Sequence, residues 1–491
     1  MRKRHQRQIL ELLETIREAQ SERLYEDCQS GALRIGQFIE ELEGEDTNAV
    51  SLLETYCDLL YKAYDGQIND RPLNRQLNKI ESSIKYELKP NKYKVLFLPY
   101  YDNTWESMKS VYEMFFNDPL FETEVVIIPI MRNTNVGVKF IWEDYLTPSG
   151  IPNTHYDIYS FEEDMPDIVF YNQPYDGVNI PKFQSHNIRK YTDCMVYIPY
   201  SLTTIGVMGE PFESNHTGLK AIHLCDLHIS QSKTFCNQYT KGTPLDAKSL
   251  ISGHPRCDCL YAAKTYGNYN HYPEWESAIG NRRVIFLNTH YTYMVEGVEP
   301  HPGVRKVIDT IAKREDLFLI WRPHPQAYLM KLSVKMQVML DFVQAHERMI
   351  LDRTPSITPA YMYSNAVVSL FPSSVVMDAL FLDLPVFLLG REGSNRTLAG
   401  NLKNPLFDAI AHEDFSQPLP DMASDTQGFE LYTEQSIYAP LDKFLNEIEK
   451  AEDSMQEARA RFRIQEFPHA DGTIAKTIME EVKNIMDTVN R

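Results

Sequence analysis

The stretch from Tyr363 to Gly390, YSNAVVSLFPSSVVMDALFLDLPVFLLG, constrains the fold most, because it reads as one βαβ unit. Ala366 to Phe371 is a short apolar run, the pattern of a strand buried on both faces of a parallel sheet. Pro372 stops it, and Ser373 or Ser374 can N-cap a short helix packed through Val375, Val376, Ala379, Leu380 and Leu382. Asp383-Leu384-Pro385 ends the helix, and Val386 to Leu389 is the next buried strand. A helix that starts at the carboxyl end of a strand offers free N–H groups and a positive dipole end to an anion. Ser373 and Ser374 therefore stand where an open α/β sheet binds phosphates; helix capping alone is the other explanation.

Similar runs recur along the chain. Lys94–Pro99, Glu124–Pro129, Asp167–Tyr171, Met195–Pro199 and Leu227–Ser230 read as strands, with helical spacing over Trp105–Phe116. A second series follows with Val284–Leu287, Leu317–Trp321, Ala366–Phe371 and Val386–Leu389, and with helices at Val304–Ala312 and Leu332–Ala345. Alternation of this kind predicts an α/β protein with two Rossmann-like domains, 92–260 and 282–440. Tyr261–Asn281, rich in Tyr, Asn, Gly and Pro, reads as a linker between them.

Residues 1–90 differ. Ile9, Leu12, Leu13 and Ile16 recur at helical spacing, as do Ile35, Phe38, Ile39 and Leu42, then Leu52, Leu53, Tyr56, Leu59 and Leu60, then Leu73, Leu77, Ile80 and Ile84. They predict a helical bundle with no chemistry of its own, serving as a docking or homo-oligomerisation element or as a prop. The segment 441–491 is helical and charged, and is expected to pack back across both α/β domains.

A chain of 491 residues needs more than one core, and 43% hydrophobic content can supply them. The net charge of −19 argues against broad nucleic-acid binding. The basic cluster Met1–Arg7 suits either peripheral contact with an anionic membrane or a solvated terminus. An amphipathic helix follows it rather than an apolar segment, so neither a secretory leader nor a membrane span is expected. Seven scattered cysteines fit a reducing cytoplasm, and Cys257-x-Cys259 has no partner pair at zinc-site spacing. No metal or cofactor is expected.

Three further motifs carry candidate chemistry. Arg322-Pro323-His324-Pro325 follows the strand Leu317–Trp321, and its prolines forbid a helix. Arg322 offers a fork of donors suited to phosphate, and His324 a hydrogen bond or a proton. Asn288-Thr289-His290-Tyr291-Thr292-Tyr293 follows the strand Val284–Leu287 and brings polar groups to the same sheet edge. Gly253-His254-Pro255-Arg256-Cys257-Asp258 places Arg256 either near a cleft or in an interdomain salt bridge. Gly-rich dinucleotide, Walker and Gly-x-Ser-x-Gly signatures are absent.

The order of these motifs, with Ser364-Asn365-Ala366-x5-Pro372-Ser373-Ser374-x3-Asp378, Leu384-Pro385-Val386-Phe387 and Phe467-Pro-His-Ala-Asp-Gly-Thr473, resembles the CDP-glycerol glycerophosphotransferase family of teichoic-acid polymerases. The resemblance runs from about Lys94 to the C-terminus. It implies a GT-B fold, a CDP-activated polyol donor in the second domain, a glycan or lipid-linked acceptor toward the first, and no metal. By position, His324, Ser373 and Ser374 would hold the donor diphosphate. Arg322, Asp378, Arg256, Asn288 and Thr289 would complete the donor site, with His324 and His290 as catalytic candidates. The family's Trp-His-Gly motif falls on Tyr197–Gly206, which has no histidine, and leaves His216, His223, His228 and His290 as candidate bases. A nucleotide-sugar glycosyltransferase and an inactive GT-B scaffold are the alternatives.

Overall fold

A computed structural model describes residues 1–44, 46–88, 92–100, 102–134, 137–141, 151–203, 218–291, 294–298, 300–370, 373–390, 405–413 and 439–489. Phe371, Pro372, Thr292, Tyr293, His216 and Thr204–Gly206 lie outside them.

Four helices open the chain: α1 (Lys3–Ser21), α2 (Tyr25–Glu43), α3 (Asn48–Tyr64) and α4 (Asp70–Tyr86). Thr47 caps α3 by accepting from the Val50 amide at 3.4 Å, and Asn69 caps α4 through the Arg71 amide at 3.1 Å. Ile9, Leu13, Ile35, Ile39, Leu53, Tyr56, Leu77 and Ile80 share a core that includes no strand residue. Leu12 and Leu42, which fall on the apolar faces by spacing, are exposed. The basic start is docked. Arg2 donates to the Asp164 and Met165 carbonyls at 2.8 and 3.1 Å, Arg4 donates to the Tyr191 carbonyl at 3.1 Å, and Arg7 pairs with Asp193 at 2.9 Å. The protein itself holds these cations, which in sequence looked open to a membrane or to solvent.

The strands form two six-stranded, wholly parallel sheets. The first uses β1 (Tyr93–Leu98), β2 (Phe121–Val125), β5 (Ile168–Tyr171), β6 (Cys194–Tyr197), β7 (Leu227–Ser230) and β8 (Ser249–Ile251), ordered β2-β1-β5-β6-β7-β8. The second uses β9 (Arg283–Thr289), β10 (Leu317–Pro323), β11 (Met349–Leu351), β12 (Ala366–Leu370), β13 (Val386–Leu389) and β14 (Ala411–His412), ordered β11-β10-β9-β12-β13-β14. A separate antiparallel hairpin pairs β3 (Ile130–Thr134) with β4 (Gly137–Ile141). Strand order reverses between β1 and β5 in one sheet and between β9 and β12 in the other. Crevices that take ligands open at such points.

Sequence and structure part in three places. The ladder of β2 begins at Phe121, not Glu124, because the run Glu124–Pro129 marks burial rather than pairing; Val126 and Ile128 still donate to Phe97 and Pro99 at 2.9 Å. The expected linker is largely helical, with helices Arg256–Tyr266 and Pro273–Ile279, and Trp275 and Ile279 enter the main core. Its Tyr and Gly content hid two short helices, one opened by Pro273 and the other closed by Gly267 at φ +67°. The edge strands β8, β11 and β14 are two or three residues long, too short to show a period.

The C-terminal helices tie the sheets together. Helix Ala439–Glu449 joins the second sheet's core through Leu441, Phe444, Leu445 and Ile448. Helix Gln456–Glu466 packs on Pro405–Ala409 and Ser374–Phe381. Helix Ile474–Val489 returns to Lys109–Phe116 of the first sheet's layer, where Lys483 pairs with Asp118 at 2.7 Å.

The Gly253–Asp258 motif is the junction of this arrangement. Gly253 has φ +87°, and a Cβ there would stand 2.8 Å from the Pro468 carbonyl oxygen. Asp258 accepts from the Ile474 and Ala475 amides at 3.2 and 2.8 Å and so caps the last helix. His254 lies within 2.7 Å of the Pro199 carbonyl through Nε2 and accepts the Arg256 amide at Nδ1, 3.1 Å away. Both contacts require the neutral Nε2–H tautomer.

Those contacts make stability depend on pH. Burial pushes His254 and His228 down to about 4. Between pH 6.5 and 4 the unfolded chain binds protons there that the native state refuses. Each histidine therefore lowers stability by about 1.4 kcal/mol per pH unit on acidification. Asp167, pushed up to about 6 by burial, acts with the opposite sign from pH 6 to 3.8. Two terms against one give a net loss. The urea midpoint is expected to be flat from pH 7.5 to 6.5 and to fall below it; a midpoint that rises between pH 6.5 and 5 would contradict the buried neutral histidines.

Candidate active site

The second sheet gathers three of the motifs. In register, Thr289 of β9 lies beside Pro323 of β10 and Leu370 of β12, so the three strands end on one line. His290 follows the first, His324 the second, and Ser373 the third. The Pro323-His324-Pro325 turn is fixed by the His324 amide, which donates to the Thr289 carbonyl at 2.9 Å. The His290 and His324 rings are 5.3 Å apart, and Tyr291 stands 4.5 and 5.2 Å from them.

Ser373 is the N-cap residue of helix Ser374–Phe381, with extended backbone at φ −136°. Its hydroxyl makes no capping bond and accepts instead from Asn288 Nδ2 at 3.5 Å. The first-turn amides are therefore not closed by the cap side chain, which leaves the dipole end suited to an anion. Asn288, His290, His324, Ser373 and Ser374 thus meet at one switch point.

Both histidines are held neutral. Burial, with repulsion from His290 and Arg322, pushes His324 down to about 4, and burial lowers His290. At neutral pH each imidazole donates one hydrogen bond and can accept one proton. A diphosphate arriving there would meet donors without an added cation.

The other candidates lie differently. Thr289 is fully buried; its hydroxyl takes the Trp321 indole N–H at 3.0 Å and lies 3.3 Å from the Met294 sulfur. It supports the edge rather than lining it. Arg322 directs Nη1 to Asp352 at 2.8 Å, Thr354 at 3.1 Å and the Ser356 carbonyl at 3.4 Å, so its fork is partly committed within its own domain. Arg256 and Asp378 are paired at 3.2 Å in the interior. Tyr361 donates to Asp378 at 3.2 Å, and Glu106 pairs with Arg256 while accepting from Ser356 at 2.7 Å. This is the interdomain bridge, and its two charged members do not face the anion site. Burial pushes the Asp378 carboxyl up, with Arg256 and Tyr361 opposing.

Of the candidate bases, His228 is fully buried behind Tyr197, and His223 sits on a short helix, Lys220–His223. His290 is the one at the second sheet's edge. Sequence reasoning missed Glu106, Asp352 and Tyr361. Their partners are 30 to 250 residues away along the chain, and no local pattern marks them.

Two Rossmann-like sheets, bridged at one point and crossed by the C-terminal helices, give this chain the GT-B fold. No protein-family model matches the sequence, and no curated protein matches it. Among solved structures, one of the wall teichoic acid polymerase TagF aligns over 90% of this chain and 98% of its own, with TM-score 0.54 and 13% identity. A histidine-to-alanine variant of TagF aligns over 90% and 99%, with TM-score 0.53 and 13% identity. The S. aureus MnaA–UDP complex aligns over 80% and 97%, with TM-score 0.51 and 12% identity. At these identities the likeness is one of fold. Among the described residues no helix is long and apolar enough to cross a membrane.

Proposed function

We propose that this chain is a GT-B transferase that moves a polyol phosphate, glycerol phosphate in the first instance, from a CDP-activated donor to a hydroxyl of a cell-surface polymer precursor. One observation carries the reading: His290, His324, the Asn288–Ser373 contact and the helix start at Ser374 converge on the switch point of the second sheet. That set fits a diphosphate. The motif order shared with the glycerophosphotransferases supports cytidine and polyol as its two ends.

The acceptor hydroxyl attacks the phosphorus that bears the polyol, in line with the bridging oxygen. A new O–P bond forms, the P–O bond to CMP breaks, and the acceptor proton passes to a base. The His324 N–H and the amides of the Ser374–Phe381 helix take up charge on the departing CMP phosphate. His290 is the donor-side candidate for the proton. Asn288 and Ser373 orient the diphosphate, and Arg322 contributes field from behind His324. The reading places the protein at the inner face of the cell membrane, where such precursors are built.

Full-length protein given CDP-glycerol, CDP-ribitol and UDP-sugars, each with an acceptor, is expected to release CMP. Release of UDP would replace the proposal with sugar transfer, and no turnover on any donor would leave a binding scaffold.

A further inference from the structure

The carboxyl edge of the first sheet buries polar atoms that the fold does not satisfy. Gln173, two residues past β5, is 2% exposed; its Oε1 accepts the Tyr175 amide at 3.2 Å, while its Nε2 has no partner among the described residues. Tyr197 ends the neighbouring strand β6 at 1% exposure, and its hydroxyl also has no partner among them. His228 of β7 pairs in register with Tyr197, and their rings stack at 5.8 Å and 11°. Its Nδ1 meets the Ser249 hydroxyl at 3.0 Å, while its buried Nε2 has no partner. Folded proteins pair nearly all such atoms, so three on adjacent strands call for an account.

Tyrosines surround this cluster. Tyr175 is 37% exposed and Tyr200 is half-buried; Tyr200 hydrogen-bonds the Tyr175 hydroxyl, and both phenols are electrostatic neighbours of Tyr197. Half-buried Tyr100 leads off β1, with its amide held by Asn172 at 2.8 Å. β1, β5 and β6 are adjacent, so these residues flank the point where the first sheet reverses its strand order. The set is aromatic and polar but uncharged. Phenol faces suit the C–H face of a sugar ring, and an amide N–H and phenols suit its hydroxyls. None of these groups carries the positive charge that a phosphate would favour.

We propose that this crevice binds a neutral sugar as the acceptor, with Tyr175 and Tyr200 against the ring and Gln173 and Tyr197 toward its hydroxyl or acetamido groups. The proposal rests on the transferase reading for the word acceptor, but not for the binding itself.

The test is saturation-transfer NMR on the full chain with the methyl glycosides of N-acetylglucosamine and mannose, with glycerol 3-phosphate and inorganic phosphate as anionic probes. A glycoside is expected to bind with a Kd of about 1 mM, the range of a single ring. Tyr175→Ala and Tyr200→Ala should each weaken it about tenfold or more and leave CMP binding unchanged. Gln173→Leu should abolish glycoside binding while the melting temperature holds or rises, because an unpaired buried amide is removed. Three outcomes overturn the proposal: no glycoside bound at about 20 mM, preference for the anionic probes, or binding that survives both tyrosine changes. A Gln173→Leu protein with unchanged glycoside affinity also overturns it, leaving a buried water as the partner of these atoms. Glycoside binding without any cytidine-nucleotide binding would instead remove the transferase reading alone.

Discussion

His324→Ala is expected to lower turnover by roughly 100-fold, the scale of losing one donor to a developing charge. The side chain stands on a turn locked by Pro323 and Pro325, and its backbone amide, which the substitution keeps, holds the turn to Thr289. The ring is partly buried against His290 and Tyr291, so the stability change should stay below about 1 kcal/mol. Ser374→Ala should cost less turnover, because the helix amides remain. Turnover close to that of the parent in His324→Ala would show that the diphosphate lies elsewhere. Unfolding would show that His324 is a packing residue.

Arg256→Ala should produce the largest loss of stability, about 3–5 kcal/mol, because it leaves a buried carboxylate without its cation. Asp378 is 6% exposed and Arg256 is 7% exposed, so water cannot replace the missing charge. Glu106, 28% exposed at its side chain, is better solvated and adds less. Replacing both partners, as Arg256→Met with Asp378→Leu, should recover most of the loss, since apolar pairs of similar volume often match a buried ion pair. Asp378 lies one turn inside the helix that starts at Ser374. The single variant is therefore also expected to bind cytidine nucleotides more weakly at temperatures where it remains folded. Urea unfolding measures the first effect and calorimetric titration the second. A loss under about 1 kcal/mol in Arg256→Ala would mean that the bridge is solvated in solution.

The Tyr363–Gly390 unit was legible because a parallel strand buried on both faces leaves a dense apolar run, with proline and serine punctuating it. The bundle was legible because four amphipathic helices each expose one face. The anion site was half legible. His324 and Ser373 follow strands directly, and whatever follows a parallel strand reaches the carboxyl edge of the sheet. What each side chain does on reaching the edge was not legible. Arg256 and Asp378 belong to motifs that looked like donor ligands, yet they meet each other across 122 positions of the chain.

By itself the sequence determined alternation, burial and punctuation, because these are local properties with periods of two and 3.6 residues. It placed the two sheets, the bundle and the ends of the strands that carry His290, His324 and Ser373. Only the tertiary structure decided the strand order, the helices inside the expected linker, the docking of Arg2, Arg4 and Arg7, and the division of polar groups between support and site. Those outcomes depend on which groups find partners after distant segments pack. A buried charge must take whatever counter-charge the fold brings within reach, and nothing in the local pattern records that choice.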